Sequence, residues 1–94
     1  MRDATLTAAA FATADTMGRL ASRIVELAER YGRPAADGVD IEMPLSQEEL
    51  AAWAGASRAG ASQALQAMRR LGWIDTRRGG LLVRDRPALE ARSP

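Results

Sequence analysis

The chain of 94 residues contains no cysteine and no histidine. These two absences exclude disulfides, thiolate nucleophiles, the usual zinc sites and an imidazole general base. We therefore expect no enzyme, no cofactor and no metal site. Lysine is absent too, so all 13 basic residues are arginine. That usage fits a GC-rich coding bias as readily as selection for bidentate phosphate binding.

Long hydrophobic runs are also absent. The longest uncharged stretch, residues 4–14, is rich in alanine and threonine and too short to cross a bilayer. The few basic residues near the start do not make a signal peptide. We expect a cytoplasmic protein with no membrane partner, and a length that suits one small domain.

Charge is distributed unevenly behind a net value of +1. Residues 1–56 hold five arginines against nine acidic residues, a balance of −4, whereas residues 57–94 hold eight against three, a balance of +5. A basic half is what a surface facing a polyanion requires, although a solvated charged face is the commoner cause. Charge alone is therefore compatible with two interpretations, a nucleic-acid-binding surface and an ordinary solvated face.

An apolar stripe spaced three and four residues apart predicts a helix in the first third of the chain. Its members are Leu6, Ala10, Thr13, Met17, Leu20, Ile24, Leu27 and Tyr31. Asp15 followed by Gly18 predicts a break, with Asp15 as the N-cap of a stronger second helix. Gly32 is predicted to cap that helix at its C-terminus. Residues 1–14 are then either a frayed tail or the end of a longer pairing helix.

The following segment is predicted to be a turn-rich connection over residues 33–40, and then a short strand. Val39, Ile41, Met43 and Leu45 alternate with polar residues or proline, which is the period of a half-buried strand. Asp37, Asp40 and Glu42 match no calcium-loop spacing. We interpret them as solvated charges.

Two closely joined helices are predicted next. Ser46 to Glu49 has the S-x-x-E pattern of a capping box and starts the first helix. Gly55 ends it, and Ser57 caps the second helix after one intervening residue. Helices joined this briefly must cross steeply, as in a helix-turn-helix, although unrelated all-α proteins also contain the pattern.

The second helix, residues 57–71, has two distinct faces. The predicted core face is Ala61, Ala64, Leu65, Met68 and Leu71. The opposite face carries no acid and consists of Arg58, Ala59, Ser62, Gln63, Gln66, Arg69 and Arg70. Exposed helices usually mix both charge signs, so this face is less usual for a plain surface helix.

A β-hairpin and a short helix complete the predicted fold. Residues 73–77 and 81–83 read as paired strands around a glycine turn with two arginines at its tip. Asp85 is predicted to cap a last helix, with Leu89 packing back. The fold class is therefore mainly α with a small antiparallel β wing.

Several motifs of this chain occur together in one family. They are S-Q-E-E-L-A at 46–51, G-A-S-R at 55–58, R-R-L-G-W-I at 69–74, the glycine-tipped hairpin, and D-R-P-A-L-E-A at 85–91. With them, residues 15–92 resemble the winged helix-turn-helix DNA-binding domain of the cyclic-AMP receptor and fumarate-nitrate regulator (Crp/Fnr) superfamily of bacterial transcription regulators. Each motif alone is weak, but the combination is specific.

The resemblance implies sequence-directed binding of double-stranded DNA, with helix 57–71 in the major groove and wing 73–84 on the phosphate backbone. The implied base-reading residues are Arg58, Ser62 and Gln63. The implied phosphate-binding residues are Ser46, Gln47, Ser57, Gln66, Arg69, Arg77 and Arg78.

This sequence departs from the family pattern in the reading helix. Ala59 stands where a glutamate is common, Gly60 where a threonine or similar residue is usual, and Gln63 where a second arginine is frequent. Fewer base contacts follow, so the helix either reads a different or more relaxed site or has lost specific binding. Gln63 could pair with adenine.

The effector domain of the family is not in these 94 residues. If residues 1–14 are the remnant of a dimerisation helix, residues 15–94 are the DNA-binding part of a longer regulator; a stand-alone winged helix is the other possibility. The implied partners are DNA, a second copy in the full-length context, and RNA polymerase. The competing hypothesis is a winged helix used for protein interaction or dimerisation, with weak or no specific DNA binding.

Overall fold

The computed structural model describes residues 4–42, 46–77 and 79–93, and side chains from residue 16 onward with the exception of Gln47. Its elements are α1 (Ala4–Tyr31), β1 (Gly32–Ala35), β2 (Gly38–Glu42), α2 (Gln47–Trp53), α3 (Arg58–Arg70), β3 (Ile74–Arg77), β4 (Gly80–Val83) and α4 (Arg86–Arg92). The four helices and one antiparallel sheet of these described residues confirm the predicted fold class.

Helix α1 runs without interruption through Asp15, so the predicted break at that residue is wrong. A glycine inside a helix costs about 1 kcal/mol relative to alanine. Gly18 is buried, and the packing of Leu20 and Ile24, both fully buried, outweighs that cost. The predicted stripe faces the core from Met17 to Leu27, whereas Tyr31 is 59% exposed because the helix ends there. Its first members, Leu6, Ala10 and Thr13, lie outside the described side chains.

The sheet has the order β1-β2-β4-β3, with every neighbouring pair antiparallel. Residues 33–40, predicted as a connection, instead form most of the hairpin β1-β2, in which Gly32 pairs with Ile41. Gly32 is therefore a strand residue and has no left-handed conformation. Strand β1 shows no apolar alternation because it is an exposed edge, where Pro34 is tolerated. The predicted continuation of β2 to Met43 and Leu45 lies outside the described residues.

One hydrophobic core joins all four helices to the sheet. Its fully buried large side chains are Leu20, Ile24, Ile41, Leu50, Met68, Ile74 and Leu89. Burying each of them contributes about 1.5–3 kcal/mol to the stability of the fold. In the described ranges this core contains no buried polar or charged residue. It holds α2, α3 and the wing as one unit.

The last helix, α4, is held by the N-cap and the buried leucine that the sequence predicted. Asp85 Oδ1 accepts a hydrogen bond from the backbone N–H of Ala88 at 3.1 Å, and Leu89 is fully buried. Arg86 also donates to Glu29 of α1 at 3.0 Å. Across the described ranges, no helix combines the length and apolar character that a bilayer span requires.

Candidate nucleic-acid interface

The start of α2 has the predicted capping box. Ser46 Oγ accepts from the backbone N–H of Glu49 at 3.1 Å, and Glu49 Oε1 accepts from the backbone N–H of Ser46 at 3.0 Å. Since Oγ is the acceptor in this cap, the hydroxyl hydrogen of the exposed Ser46 can still be donated to an anion. The side chain of Gln47 lies outside the described side chains, so its phosphate role stays a prediction.

A tight turn connects α2 to α3. Gly55 has φ of +70°, the left-handed region that side chains disfavour. The N–H of Ala56 donates back to the carbonyl of Ala51 at 2.8 Å. Ala54 and Ala61 are buried beside the turn. Small side chains therefore allow the two helices to approach closely.

The first turn of α3 is capped by Ser57, whose Oγ accepts from the N–H of Gly60 at 3.0 Å. A Cβ added at Gly60 would lie 3.0 Å from that oxygen and 3.7 Å from Thr16 Cγ2. A side chain at this position would thus point toward α1. The glycine accordingly removes no outward-facing contact, and the outer face of the N-terminal half of α3 departs from the family pattern mainly at Ala59 and Gln63.

The rest of α3 separates its faces as predicted, with one exception. Ala61, Ala64, Leu65 and Met68 are buried, while Arg58, Gln63, Gln66, Arg69 and Arg70 are exposed and Ser62 is half-buried. Leu71, predicted in the core, is 58% exposed. It is the C-cap of α3, and the chain turns away directly after it, at Gly72, so the core face ends one turn earlier.

Arg58 lies beside an acidic side chain, and no local sequence pattern predicts this pair. Its Nη1 is 3.8 Å from Oε2 of Glu48, and the two side chains are 80% and 72% exposed. The tight turn between α2 and α3 brings together residues ten positions apart. So exposed a pair is worth at most about 1 kcal/mol, which means that Arg58 can leave Glu48 for a base or a phosphate.

The wing presents Arg77 at the end of β3. Its Nη1 is 3.8 Å from Oδ1 of Asp40 on β2, and its side chain is about half exposed (49%). Arg78 lies outside the described residues, so its predicted phosphate contact stays a prediction. Gly79 is in the left-handed region, as the hairpin turn requires.

The predicted site residues therefore fall into three neighbouring places. Ser57, Arg58, Ser62, Gln63, Gln66 and Arg69 follow one another along α3. Ser46 stands at the start of α2, where Glu48 contacts Arg58. Arg77 comes from the wing, whose strand β3 packs beside the C-terminal end of α3. The part of the chain that the structure describes has no group of three or more acidic residues placed to hold a metal ion.

A capped helix, a glycine turn, a second capped helix with an acid-free outer face, and a two-stranded wing together define a winged helix-turn-helix domain. Residues 18–92 match the Crp-like helix-turn-helix domain. The chain belongs to this family.

Related proteins of known name are bacterial regulators. The CRP-like cAMP-activated global transcriptional regulator of Mycobacterium tuberculosis is 33% identical over 79 residues, which is 84% of this chain and 35% of that protein. The chain thus spans about a third of the length of the curated relatives that it matches.

Solved structures share the fold. The CO-dependent transcription factor CooA from Carboxydothermus hydrogenoformans superposes with a TM-score of 0.78 at 28% identity, over 83% of this chain and 36% of that one. The catabolite activator protein of Thermus thermophilus gives 0.78 at 26% identity, over 98% of this chain and 40% of that one.

Proposed function

We propose that this domain binds double-stranded DNA in a sequence-directed way, as the DNA-binding part of a bacterial transcription regulator. The observation that carries the proposal is the outer face of α3, which is exposed, rich in hydrogen-bond donors and free of acidic residues. A polyanion favours such a face. Membership of the helix-turn-helix family supports the same conclusion.

In the proposed complex, the N-terminal half of α3 enters the major groove. Arg58 donates two hydrogen bonds to O6 and N7 of a guanine, which its planar guanidinium matches. Gln63 lies just over one turn further along and pairs with adenine through its amide. Ser62, half-buried between them, donates to a neighbouring base edge.

Phosphates are held around this reading region. Ser46 and Ser57 stand at the N-termini of α2 and α3, where the helix dipole and exposed N–H groups favour an anion. The remaining proposed phosphate ligands are Gln47, Gln66, Arg69, Arg77 and Arg78. These contacts fix the register on the duplex and carry no sequence information.

The wider context is proposed from the same family. Residues 1–14 are the end of a dimerisation helix and residues 15–94 the DNA-binding domain of a longer, cytoplasmic, homodimeric regulator that contacts RNA polymerase and has no enzymatic activity. The unbroken α1 supports the first point, because a continuous helix joins the two stretches. Sedimentation of the longer protein at increasing concentration tests for the dimer.

Selection of bound sequences from a random duplex pool tests the central proposal, followed by anisotropy titration of the selected duplex at rising salt. Three charged phosphate ligands per domain predict a slope of log K against log salt of about −3. Absence of binding to any duplex at low salt would contradict DNA binding. A tight dimer indifferent to DNA would instead support the protein-interaction alternative.

A further inference from the structure

An open cleft of about 490 Å³ lies between the C-terminal end of α3 and the base of the wing. Its lining residues are Gln66, Arg69, Arg70, Gly72, Ile74, Asp75 and Arg84. Gln66 and Arg69 also belong to the exposed face of α3. The cleft therefore continues the proposed DNA-binding surface toward β3, the edge strand of the sheet.

Charge in this cleft is strongly positive. Its lining includes three arginines, Arg69, Arg70 and Arg84, and one acidic residue, Asp75. Arg84 Nη2 is 3.5 Å from Asp75 Oδ2, and both side chains are about half exposed. Within the described ranges, Arg69 and Arg70 have no carboxylate partner, whereas Arg58 and Arg77 each have one and Arg86 has two.

The end of a helix normally repels an anion, because its last carbonyls carry partial negative charge. At the end of α3 two of those carbonyls accept hydrogen bonds from the following turn. The N–H of Trp73 donates to Met68 O at 2.9 Å, and the N–H of Gly72 donates to Arg69 O at 3.1 Å. This is a Schellman motif, and Gly72 with φ of +79° makes it possible. The partial negative charge at this end of α3 therefore offsets less of the positive charge of Arg69 and Arg70 than the end of an uncapped helix would.

Distance along α3 decides what the cleft would meet on DNA. Twelve residues separate Arg58 from Arg70, which corresponds to a rise of roughly 18 Å. The major groove is only about 12 Å wide. With Arg58 at a base edge, the far end of the helix therefore reaches the groove wall, which is the sugar-phosphate backbone.

We propose that this cleft is a second phosphate-binding site, in which Arg70 and Arg84 hold a backbone phosphate of the duplex that α3 reads. The inference rests on the proposed function and adds two ligands to it. Asp75 competes with the phosphate for Arg84, since a half-exposed pair at 3.5 Å is weak enough to be displaced. Asp75 thereby limits the affinity for DNA of any sequence.

Arg70→Gln and Arg84→Gln test the proposal on the selected duplex and on an unrelated duplex. Each change is expected to lower affinity about tenfold at low salt for both duplexes and to reduce the salt slope by about one. With both arginines in place the slope of the unaltered domain becomes about −5, against about −3 without them. Arg33→Gln, which removes the same charge from exposed β1, is the matched control and should change affinity less than twofold.

Asp75→Asn is expected to change DNA affinity in the opposite direction. Losing the competing carboxylate should raise affinity about threefold for both duplexes, and the gain should disappear in the background of Arg84→Gln. Circular dichroism melting of every variant shows whether each one is folded. If the folded Arg70 and Arg84 variants bind with the affinity and slope of the unaltered domain, the second site is wrong.

Two other outcomes are distinguishable. If the unaltered domain binds no duplex, the proposed function fails, and the second site fails with it. Titration with inorganic phosphate, followed through the side-chain N–H signals of Arg70 and Arg84, separates the two sources of phosphate. Saturation in the low millimolar range combined with unchanged DNA binding by the variants would assign the cleft to a small phosphate ligand and overturn the proposal.

Discussion

The two ends of α3 differ in how they hold their arginines. At the N-terminal end, Arg58 stands next to the Ser57 cap and beside the carboxylate of Glu48. At the C-terminal end, Arg69 and Arg70 stand before a Schellman motif and have no acidic partner among the described residues. A guanidinium that lies beside a carboxylate, like that of Arg58, is suited to a contact that depends on geometry. A guanidinium that has no acidic partner is suited to attracting phosphate of any sequence. Under the proposed function, selectivity and affinity therefore come from opposite ends of one helix.

The largest loss of stability and binding is expected from a change at Met68, a side chain on which both ends of α3 depend. Met68 is fully buried in the middle of the core. Met68→Ala should lower the free energy of unfolding by about 2–5 kcal/mol, because it removes buried apolar volume. Denaturant unfolding measures the loss. Affinity for all duplexes should fall together. Loss of sequence discrimination alone, or of overall affinity alone, would show that the two ends of α3 do not both depend on the packing of Met68.

Arg58→Ala should remove the function of one end only. Loss of a bidentate contact costs about 1–3 kcal/mol of discrimination between the selected duplex and one altered at the contacted guanine. Unrelated duplexes should bind nearly as before. Competition titrations with the two duplexes measure the difference. Equal weakening on every sequence would mean that Arg58 acts on phosphate and that the division between the two ends is wrong.

Caps at the two ends provide a comparison of stability. Ser57→Ala removes the hydroxyl that accepts from Gly60 and should cost about 1 kcal/mol. Gly72→Ala places a side chain at φ of +79° and should cost roughly 1–2 kcal/mol. Thermal melting of both variants measures the two costs. A neutral Gly72→Ala would show that the Schellman motif does not hold the end of α3.

The smallest effect is expected from Glu48→Gln, which removes the carboxylate beside Arg58. The exposed pair is worth at most about 1 kcal/mol, so stability should hardly change. Affinity should rise slightly and equally on all duplexes if Glu48 only competes for Arg58. A fall in discrimination would instead show that Glu48 orients the guanidinium, and would strengthen the contrast with the unpartnered end.

The sequence was most informative where a local rule acts within a few residues. The capping box at Ser46, the Ser57 cap, the wing turn and the Asp85 cap were all predictable, because each depends on residues at most four positions apart. The pairs Glu48 with Arg58 and Asp40 with Arg77 were not, since they depend on how elements cross. Strand β1 was missed for a related reason, because only pairing with β2 makes it a strand.

The candidate site follows the same division. Periodicity placed Arg58, Ser62 and Gln63 on the outer face of α3, away from the core, and the family resemblance alone implied their base-reading role. Arg84 was not singled out, because it belongs to no motif and becomes part of a cleft only when the wing packs beside α3. Leu71 was misplaced because periodicity does not show where a helix stops.

The order of the strands bears on how this small sheet stays separate from other molecules. Its outer strands are β1 and β3, and an outer strand can recruit a foreign strand and begin aggregation. Pro34 on β1 lacks the N–H that such pairing needs, and charged Asp75 and Arg77 line β3. Arg77, the proposed phosphate ligand of the wing, thus also hinders pairing of the outer strand β3 with a strand of another molecule.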